Sequence, residues 1–191
     1  MTRAPRLQLP LAMTMALRRI GIRPTPSLLL VSVARQTMSL LGLVSDGQAS
    51  LCRPTYQVLR RYLISTSRFG TGQILNSHRT PLGLHKIAAK AGAGYPVGTA
   101  FKNRRPVGCT WQGQPNAPIA HRILWLGGLE SGFNHGGNVD SFRRTIYIHG
   151  VGNEPSLGRP ASCGCIHLAA ADLMPLYDRL PVGTLVWISE A

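Results

Sequence analysis

The apolar residues of this chain come in short runs that turn-forming residues separate, and this limits what the chain can fold into. Examples are residues 27–34, with Leu-Leu-Leu-Val-Ser-Val at their centre, residues 38–44 and residues 185–188. Such runs have the length of buried strands, whereas a helical bundle needs longer amphipathic segments. The 21 Gly and 14 Pro residues supply many turns, and charged runs typical of helices are nearly absent. The sequence therefore predicts a mostly β protein, a mixed or antiparallel sandwich or barrel with one or two short helices.

The rest of the chain adds further strands and one clear helix. Strands are predicted at three more segments: residues 56–66, 121–126 and 145–149. Apolar side chains recur at helical spacing in residues 172–180, which predicts a helix with Asp172 as its N-cap and Pro175 in its first turn. Residues 92–118 are rich in Gly and Pro without a periodic pattern, and we expect a long surface loop there.

Residues 1–26 are predicted to form an N-terminal extension to a domain that covers residues 27–191. Two arginines precede an apolar stretch at residues 7–17, as in the first part of a secretory signal. Pro10 interrupts the stretch, however, and an Arg-Arg pair follows it directly. A weak signal segment and an amphipathic extension both stay open. We expect no integral membrane span, because the stretch is too short to cross a bilayer.

The charge balance of the chain points to an anionic partner. Its 21 Lys and Arg residues outnumber its 7 Asp and Glu residues, and the formal net charge is +14. Most of the cations are arginines, whose planar guanidinium pairs with carboxylates and phosphates. Nucleic acid, an anionic membrane surface and a carboxylate-rich polymer are candidate partners, and a merely solvated surface is the alternative. The cations are spread along the chain without a recognisable nucleic-acid motif, which argues against nucleic acid.

The segment at residues 147–167 carries the candidate chemistry. An apolar strand ends in His149, and after a polar loop the sequence Ser-Cys-Gly-Cys occupies residues 162–165. A histidine at a strand end and a cysteine in a glycine-containing turn are the parts of a thiol nucleophile with its base. Gly164 allows a tight turn, so that N–H groups around Cys165 face a developing oxyanion.

Other interpretations of this segment stay open on the residues alone. A histidine at a strand end is commonly structural, and a cysteine in apolar surroundings is commonly a small core residue. Four side chains here are also of the types that bind zinc: Cys163, Cys165, His149 and His167. Their Cys-x-Cys spacing departs from the usual zinc patterns. The remaining cysteines, Cys52 and Cys109, complete no disulfide framework.

Residues 149–167 resemble the signature of the L,D-transpeptidase catalytic domain, a His-Gly pair followed by a Ser-x-Gly-Cys-Ile-Arg turn. The corresponding sequence here is His149-Gly150, followed by Ser-Cys-Gly-Cys-Ile-His at residues 162–167. The similarity extends over residues 27–190. It includes the opening hairpin, a central strand with its Thr-Pro-x-Gly turn, and the approach to the histidine: residues 29–37, 65–83 and 137–149. The resemblance implies a mostly β fold of the L,D-transpeptidase type.

In this family a cysteine attacks the carbonyl before the terminal D-amino acid of a peptidoglycan tetrapeptide stem. D-Ala leaves, and the acyl group passes to an amine or to water. The resemblance implies that Cys165 is the nucleophile and that His149 is the base, which later protonates the leaving amine. It further implies an enzyme of the bacterial cell envelope or periplasm that uses no cofactor and no metal. The anionic stem peptides would give the arginine excess a role.

The resemblance also implies supporting roles for other residues. Backbone amides near Gly164 and Cys165 would hold the oxyanion, and Ser162 would steady the turn. The carbonyl of Gly150 would orient the imidazole of His149. Contacts with the substrate are expected from four residues: His167, Arg159, Tyr147 and Arg144.

Two positions depart from the family pattern. Cys163 stands where histidine is frequent, and a disulfide between Cys163 and Cys165 would silence the nucleophile under oxidising conditions. His167 stands where the family usually carries arginine. If that arginine binds the substrate carboxylate or braces the turn, a histidine would do so only partly, and more weakly above about pH 6.5. We therefore expect reduced activity or altered specificity.

Three alternatives to a transpeptidase stay open at this point. An L,D-carboxypeptidase would differ only in passing the acyl group to water. A catalytically weakened peptidoglycan-binding homologue would result if the two departures spoil the chemistry. The third is a basic protein that binds nucleic acid or zinc. The sequence predicts neither the acyl acceptor nor the oligomeric state.

Overall fold

The computed structural model describes residues 6–44 and 54–191. The first residues of the predicted extension and Cys52 lie outside these ranges. Within them the chain forms two helices, α1 (Leu11–Ile20) and α2 (Ala170–Arg179), and a 3₁₀ turn at Gly137–Val139. It also forms eleven strands: β1 (Arg6–Gln8), β2 (Ser27–Ser32), β3 (Thr37–Leu43), β4 (Thr55–Ser65), β5 (Gly83–Ala91), β6 (Thr99–Lys102), β7 (Arg105–Cys109), β8 (Ala120–Gly128), β9 (Tyr147–Gly150), β10 (Ile166–Leu168) and β11 (Leu185–Ser189).

Eight of these strands close into a barrel. Each pairs with the next in the order β5, β11, β2, β3, β4, β10, β9 and β8, and β8 pairs back with β5. Most neighbours are antiparallel, but β11 runs parallel to β2 and β10 runs parallel to β9. Strand β1 adds to β4, and the β6–β7 hairpin joins β8 through the pair Ala100 and Ala120. The prediction of a mostly β fold with a mixed sheet is confirmed.

Strand β2 is buried on both faces, which explains why its sequence is apolar without alternation. Leu29 and Val31 lie in the barrel interior, which they share with the apolar side of α2. Leu28 and Leu30 belong to a second apolar layer outside the barrel, together with Met13 and other residues of α1. The apolar stretch near the N-terminus therefore covers part of the outer face of the sheet in the folded chain.

The expectation of a structureless loop at residues 92–118 is wrong, because this segment contains the β6–β7 hairpin. The hairpin turns at Asn103 and Arg104, whose φ angles are +52° and +65°. Two consecutive residues with positive φ are what a two-residue hairpin turn needs to match the twist of its strands. Arginine is an unusual residue for such a position, and this is why the turn was missed.

Helix α2 was expected at the right place, but its start was predicted wrongly. It begins at Ala170, and its N-cap is Ala169. The Glu154 carboxylate accepts a hydrogen bond from the Ala170 amide at 2.7 Å, so a loop residue caps the helix earlier than Asp172 would. Pro175 consequently lies inside the helix, beyond its first turn. Neither α1 nor α2 is long and apolar enough to cross a membrane, and these are the helices of the described ranges.

Candidate active site

Strand β9 carries the predicted base, and the predicted nucleophile comes directly before β10, which runs beside β9. Their parallel register pairs His167 with His149, which places Cys165 beside Tyr147 immediately before the ladder. Alternate residues of a strand point to the same side of a sheet, so these four residues share one face. The ring centroids of His149 and His167 are 4.8 Å apart. The fold therefore brings together the His and Cys segments that the sequence singled out.

Buried hydrogen bonds hold the turn that presents Cys165. The hydroxyl of Ser162 donates to the Cys165 carbonyl at 2.6 Å and accepts from the Gly164 amide at 3.2 Å. Gly164 has a φ of +116°, and a Cβ there would lie 3.2 Å from the Arg79 carbonyl oxygen. The turn thus requires glycine at position 164 and uses a small hydroxyl at position 162.

Thr80 ties this turn to the segment that precedes β5. Its fully buried hydroxyl donates to the Gly164 carbonyl at 3.1 Å and accepts from the Ser67 amide at 3.0 Å. The Ser67 hydroxyl in turn donates to the His78 carbonyl at 2.6 Å. Thr80 lies in the predicted Thr-Pro-x-Gly turn, and nothing in its sequence surroundings predicts a part in the site. Its contact with Gly164 spans 84 residues of sequence, and no local pattern indicates such a contact.

The thiol of Cys165 lies between backbone groups. Its sulfur accepts from the Tyr147 amide at 3.4 Å, and its S–H donates to the Thr145 carbonyl at 3.5 Å. Among the hydrogen bonds of the described residues, none joins this sulfur to His149. Burial of the sulfur raises the pKa of the thiol to about 11, although the Tyr147 amide and the Arg144 guanidinium oppose the rise. The thiol is therefore protonated at neutral pH.

His149 is buried, and its hydrogen bond defines its tautomer. Nδ1 lies 2.8 Å from the Gly150 carbonyl oxygen. Because a carbonyl can only accept, Nδ1 carries the hydrogen and Nε2 is left as a proton acceptor. Burial, with a further contribution from His167, lowers the pKa of His149 to about 3. Thiol and imidazole are both neutral at pH 7, so proton transfer between them must accompany bond formation at sulfur.

Gly150 is packed too tightly to carry a side chain. A Cβ there would lie 2.3 Å from the His121 ring and 2.9 Å from the Ala120 carbonyl oxygen. Nδ1 of His121 accepts from the Gly98 amide at 2.8 Å, so its Nε2–H donates to the Val151 carbonyl at 3.2 Å. From the sequence, His121 is predicted only to begin a strand. In the structure it joins the base of the β6–β7 hairpin to the end of the strand that carries His149.

Two arginines expected at the substrate lie in different surroundings. Arg144 is half-buried, and its guanidinium donates to backbone carbonyls of the 72–79 loop at 2.6 and 3.1 Å. Its charge acts on the Cys165 thiol, so it supports both the loop and the electrostatics of the site. Arg159 is exposed in the loop before the turn, and its carbonyl accepts from the Ser65 hydroxyl at 2.7 Å.

His167 cannot supply the positive charge of the arginine that it replaces. Burial lowers its pKa to about 4, so its imidazole is neutral at pH 7. Nδ1 of His167 is buried and forms no hydrogen bond. A solvated histidine would carry part of a positive charge near pH 6.5, but the histidine at this position carries almost none, so the site loses nearly the whole charge of the family arginine.

A cation that the sequence analysis did not assign to the site reaches this face from the β6–β7 hairpin. The guanidinium of Arg104 lies 4.3 Å from the centre of the Trp125 ring and donates to the Tyr147 hydroxyl at 3.0 Å. Trp125 pairs with Tyr147 across β8 and β9, and Phe142 stacks on Trp125 at 3.8 Å. Arg104 was missed because residues 92–118 were assigned to a loop.

The zinc interpretation finds no geometry to support it. In residues 6–44 and 54–191, no group of three or more His, Cys, Asp or Glu side chains is arranged to hold a metal ion. Cys163 is exposed, and its sulfur accepts from the Arg68 guanidinium at 3.6 Å. Cys109, Cys163 and Cys165 are all free thiols.

A family model described as the L,D-transpeptidase catalytic domain matches residues 26–188. No curated protein sequence matches the chain significantly. The structure of Bdellovibrio bacteriovorus Bd1075 is similar with a TM-score of 0.54 and 14% identity, over 87% of this chain and 48% of that one.

Two further solved structures are similar at lower TM-scores. An L,D-transpeptidase from Mycobacterium smegmatis has a TM-score of 0.47 and 17% identity, over 86% of this chain and 58% of that one. An L,D-transpeptidase from Xylanimonas cellulosilytica (residues 123–326) has a TM-score of 0.44 and 20% identity, over 92% and 68%. The chain spans about half the length of the first two of these relatives. At such identities the likeness concerns the fold.

Proposed function

This chain belongs to the L,D-transpeptidase catalytic domain family, and we propose on that premise that it is a peptidoglycan L,D-transpeptidase of the bacterial cell envelope. Cys165 is the nucleophile and His149 is the base. The observation that carries the proposal is the pairing of β9 with β10, which sets the thiol and the imidazole on one face of the sheet. The acceptor of the acyl group is an amine; with water as the acceptor the same site would be an L,D-carboxypeptidase.

The reaction starts from a neutral thiol and a neutral imidazole. As the Cys165 sulfur bonds to the carbonyl carbon of the stem peptide, the thiol proton passes to Nε2 of His149. The Nδ1–H bond to the Gly150 carbonyl orients the ring and stabilises the imidazolium that forms. The imidazolium then protonates the amine of D-Ala, the C–N bond breaks, and a thioester on Cys165 remains.

The second half of the reaction reverses these proton movements. An acceptor amine attacks the thioester carbon and gives its proton to Nε2 of His149. The carbon–sulfur bond breaks, and the proton returns from His149 to the Cys165 sulfur. Each group ends as it began, so one histidine serves as acid and base in turn.

The negative charge on the carbonyl oxygen needs hydrogen-bond donors in both halves. The Gly164 amide already donates to the Ser162 hydroxyl. No backbone hydrogen bond of the described residues uses the Cys165 amide, which makes it the first candidate donor. Donors that are fixed before the reaction stabilise the oxyanion without reorganisation, and the held turn supports this role.

One observation favours a second candidate, a catalytically weakened peptidoglycan-binding homologue. His167 is neutral where the family pattern has arginine, so if that arginine binds the substrate carboxylate, its charge is missing here. If that contact is needed to place the stem peptide, binding would persist through other cations while acylation would be slow.

The test is intact-mass analysis of the reduced protein after incubation with a carbapenem, which acylates activated cysteines of this kind. We expect a covalent adduct on the wild type and on Cys163→Ala, and none on Cys165→Ala. Release of D-Ala from a tetrapeptide stem should follow the same pattern. An adduct that requires Cys163 would move the nucleophile to that residue. Absence of any adduct would favour the binding homologue.

A further inference from the structure

The site lacks a free cation at the position where the family pattern supplies one. His167 is neutral at pH 7, and Arg144 is committed to the backbone carbonyls of the 72–79 loop. A peptidoglycan stem peptide nevertheless carries carboxylates, and a carboxylate that leaves water needs a positive or hydrogen-bonding partner. A different cation on the same face is therefore a candidate partner for this charge.

Arg104 has unused hydrogen-bond donors and a suitable position to bind a substrate carboxylate. A guanidinium carries five N–H donors in one plane, and the Tyr147 hydroxyl takes one of them. None of the ion pairs between described residues includes Arg104. Its guanidinium rests against the Trp125 ring, a contact that orients the group without using its donors. Donors for a bidentate carboxylate therefore remain.

Two contacts of the β6–β7 hairpin with the rest of the protein fix the position of Arg104. Phe101 is buried and packs with Ile123 and Tyr147. The Gly98 amide, at the base of the hairpin, is bonded to His121. A cation that is already held costs less conformational entropy when it binds a ligand than a free surface arginine does.

We propose that Arg104 and the Tyr147 hydroxyl form a carboxylate-binding subsite, which replaces the absent arginine and selects stem peptides with a free carboxylate. The Tyr147 oxygen accepts from Arg104, so its own O–H can donate to the carboxylate. The amide of Tyr147 contacts the Cys165 sulfur, and Cys165 packs against the apolar cluster that contains Tyr147, so the subsite lies on the face that carries the nucleophile. This inference rests on the proposed function. The carboxylate is either that of the diaminopimelate side chain or that of the terminal D-Ala.

The test compares Arg104→Gln, Arg104→Lys and the neighbouring hairpin variant Arg105→Gln on three stem peptides. One peptide has both carboxylates free, one has the side-chain carboxylate amidated, and one has the C-terminal carboxylate amidated. For the free peptide we expect Arg104→Gln to raise KM about tenfold or more with kcat within about threefold. Arg104→Lys should show a smaller rise in KM, because lysine keeps the positive charge but lacks the planar pair of N–H donors. Arg105→Gln should behave like the wild type.

The amidated peptides identify which carboxylate is bound. The peptide whose bound carboxylate is amidated should have a high KM with the wild type, and Arg104→Gln should not raise that KM further. Equal losses on all three peptides, or a fall in kcat with an unchanged KM, would overturn the subsite.

Calorimetric binding to Cys165→Ala protein, with and without Arg104→Gln, separates the two proposals. Weakened binding of the free peptide in the double variant, with no turnover by the wild type, would support the subsite and reject the transpeptidase. Unchanged binding of the free peptide in the double variant, with normal turnover by the wild type, would support the transpeptidase and reject the subsite.

Discussion

The turn at residues 162–165 and the β6–β7 hairpin both reach the face that carries Cys165, but different interactions hold them. In the turn, the hydroxyls of Ser162 and Thr80 donate to backbone carbonyls in buried surroundings. In the hairpin, an apolar contact of Phe101 anchors the first strand, and the exposed Arg104 lies over an aromatic ring. Buried hydrogen bonds are costly to remove, whereas exposed contacts tolerate change. The position of the thiol should therefore be much more sensitive to substitution than the position of the hairpin.

The two regions also differ in charge. In the turn region, burial keeps the Cys165 thiol and the His149 imidazole neutral. The hairpin carries full positive charges at Lys102, Arg104 and Arg105 in exposed positions. In the function we propose, the reacting groups that exchange a proton are largely shielded from water, whereas Arg104, which recognises an anion, lies near water. Four measurements can break or sharpen this comparison.

The largest expected effect is the pH dependence of Cys165 alkylation. Iodoacetamide reacts with the thiolate, and burial raises the pKa of this thiol to about 11. The rate should therefore rise about tenfold per pH unit, about a thousandfold between pH 7 and pH 10. Peptide mapping by mass spectrometry follows each cysteine separately, and the exposed Cys163 is the reference at the edge of the same turn. A Cys165 rate that is flat over this range would mean that a thiolate–imidazolium pair already exists.

Gly164→Ala, compared with Gly113→Ala beyond the hairpin, tests whether the turn is the less tolerant region. Both glycines have positive φ, but a Cβ at Gly113 meets open space, while one at Gly164 approaches the Arg79 carbonyl. We expect Gly164→Ala to slow carbapenem acylation about a hundredfold, because a small displacement of a nucleophile has effects of this size. Gly113→Ala should lose about 1 kcal/mol of stability in urea unfolding and keep its acylation rate. Similar acylation rates for the two variants would remove the distinction.

Thr80→Val and Thr99→Val remove one buried hydroxyl from each region. Thr80→Val leaves the Gly164 carbonyl and the Ser67 amide without their partner, so we expect a loss of about 1–3 kcal/mol and acylation about tenfold slower. The Thr99 hydroxyl donates to the Pro96 carbonyl, and its loss should cost about 1 kcal/mol with acylation within about twofold of the wild type. Thr80→Ser should restore most of the rate. If both valine variants acylate alike, the turn does not depend on Thr80.

The parts that could be predicted from the sequence depend on neighbouring residues. The hydrogen bonds of Ser162 lie within its own turn, and His149 and Cys165 lie in segments of a recognised signature. The short apolar runs predict the strands because period and length are local properties. The sequence could not indicate what covers the two faces of β2, since α2 and α1 come from opposite ends of the chain.

The parts that could not be predicted depend on contacts between distant segments or on unusual backbone. Thr80 reaches Gly164 across 84 residues. Arg104 adopts positive φ in its hairpin turn, where Gly, Asn or Asp would have been a signal. The neutrality of His167 is a consequence of burial, which cannot be read from a residue type. In this protein the residues that we propose for recognition escape prediction from the sequence more than those that we propose for the reaction.

The smallest expected effect concerns the base of the hairpin. Nδ1 of His121 accepts from the Gly98 amide, and burial lowers the pKa of this histidine below its usual 6.5. The neutral form is favoured in the folded state. The stability that it contributes is therefore complete above about pH 6.5 and is lost as the pH falls through the lowered folded-state pKa. Glutamine at this position can accept from the same amide but does not titrate.

Thermal unfolding of the wild type and of His121→Gln at pH 7 and pH 5 measures this contribution. Three other histidines also have pKa values that burial lowers, the buried His85 and His149 and the half-buried His167, but they are present in both proteins and cancel in the comparison. On acidification the Tm of the wild type should fall further than that of His121→Gln, by about 2 °C. Parallel decreases would mean that the Gly98 contact does not hold the hairpin. The position of the hairpin would then depend on the apolar contact of Phe101 alone, and its contrast with the hydrogen-bonded turn at residues 162–165 would be larger.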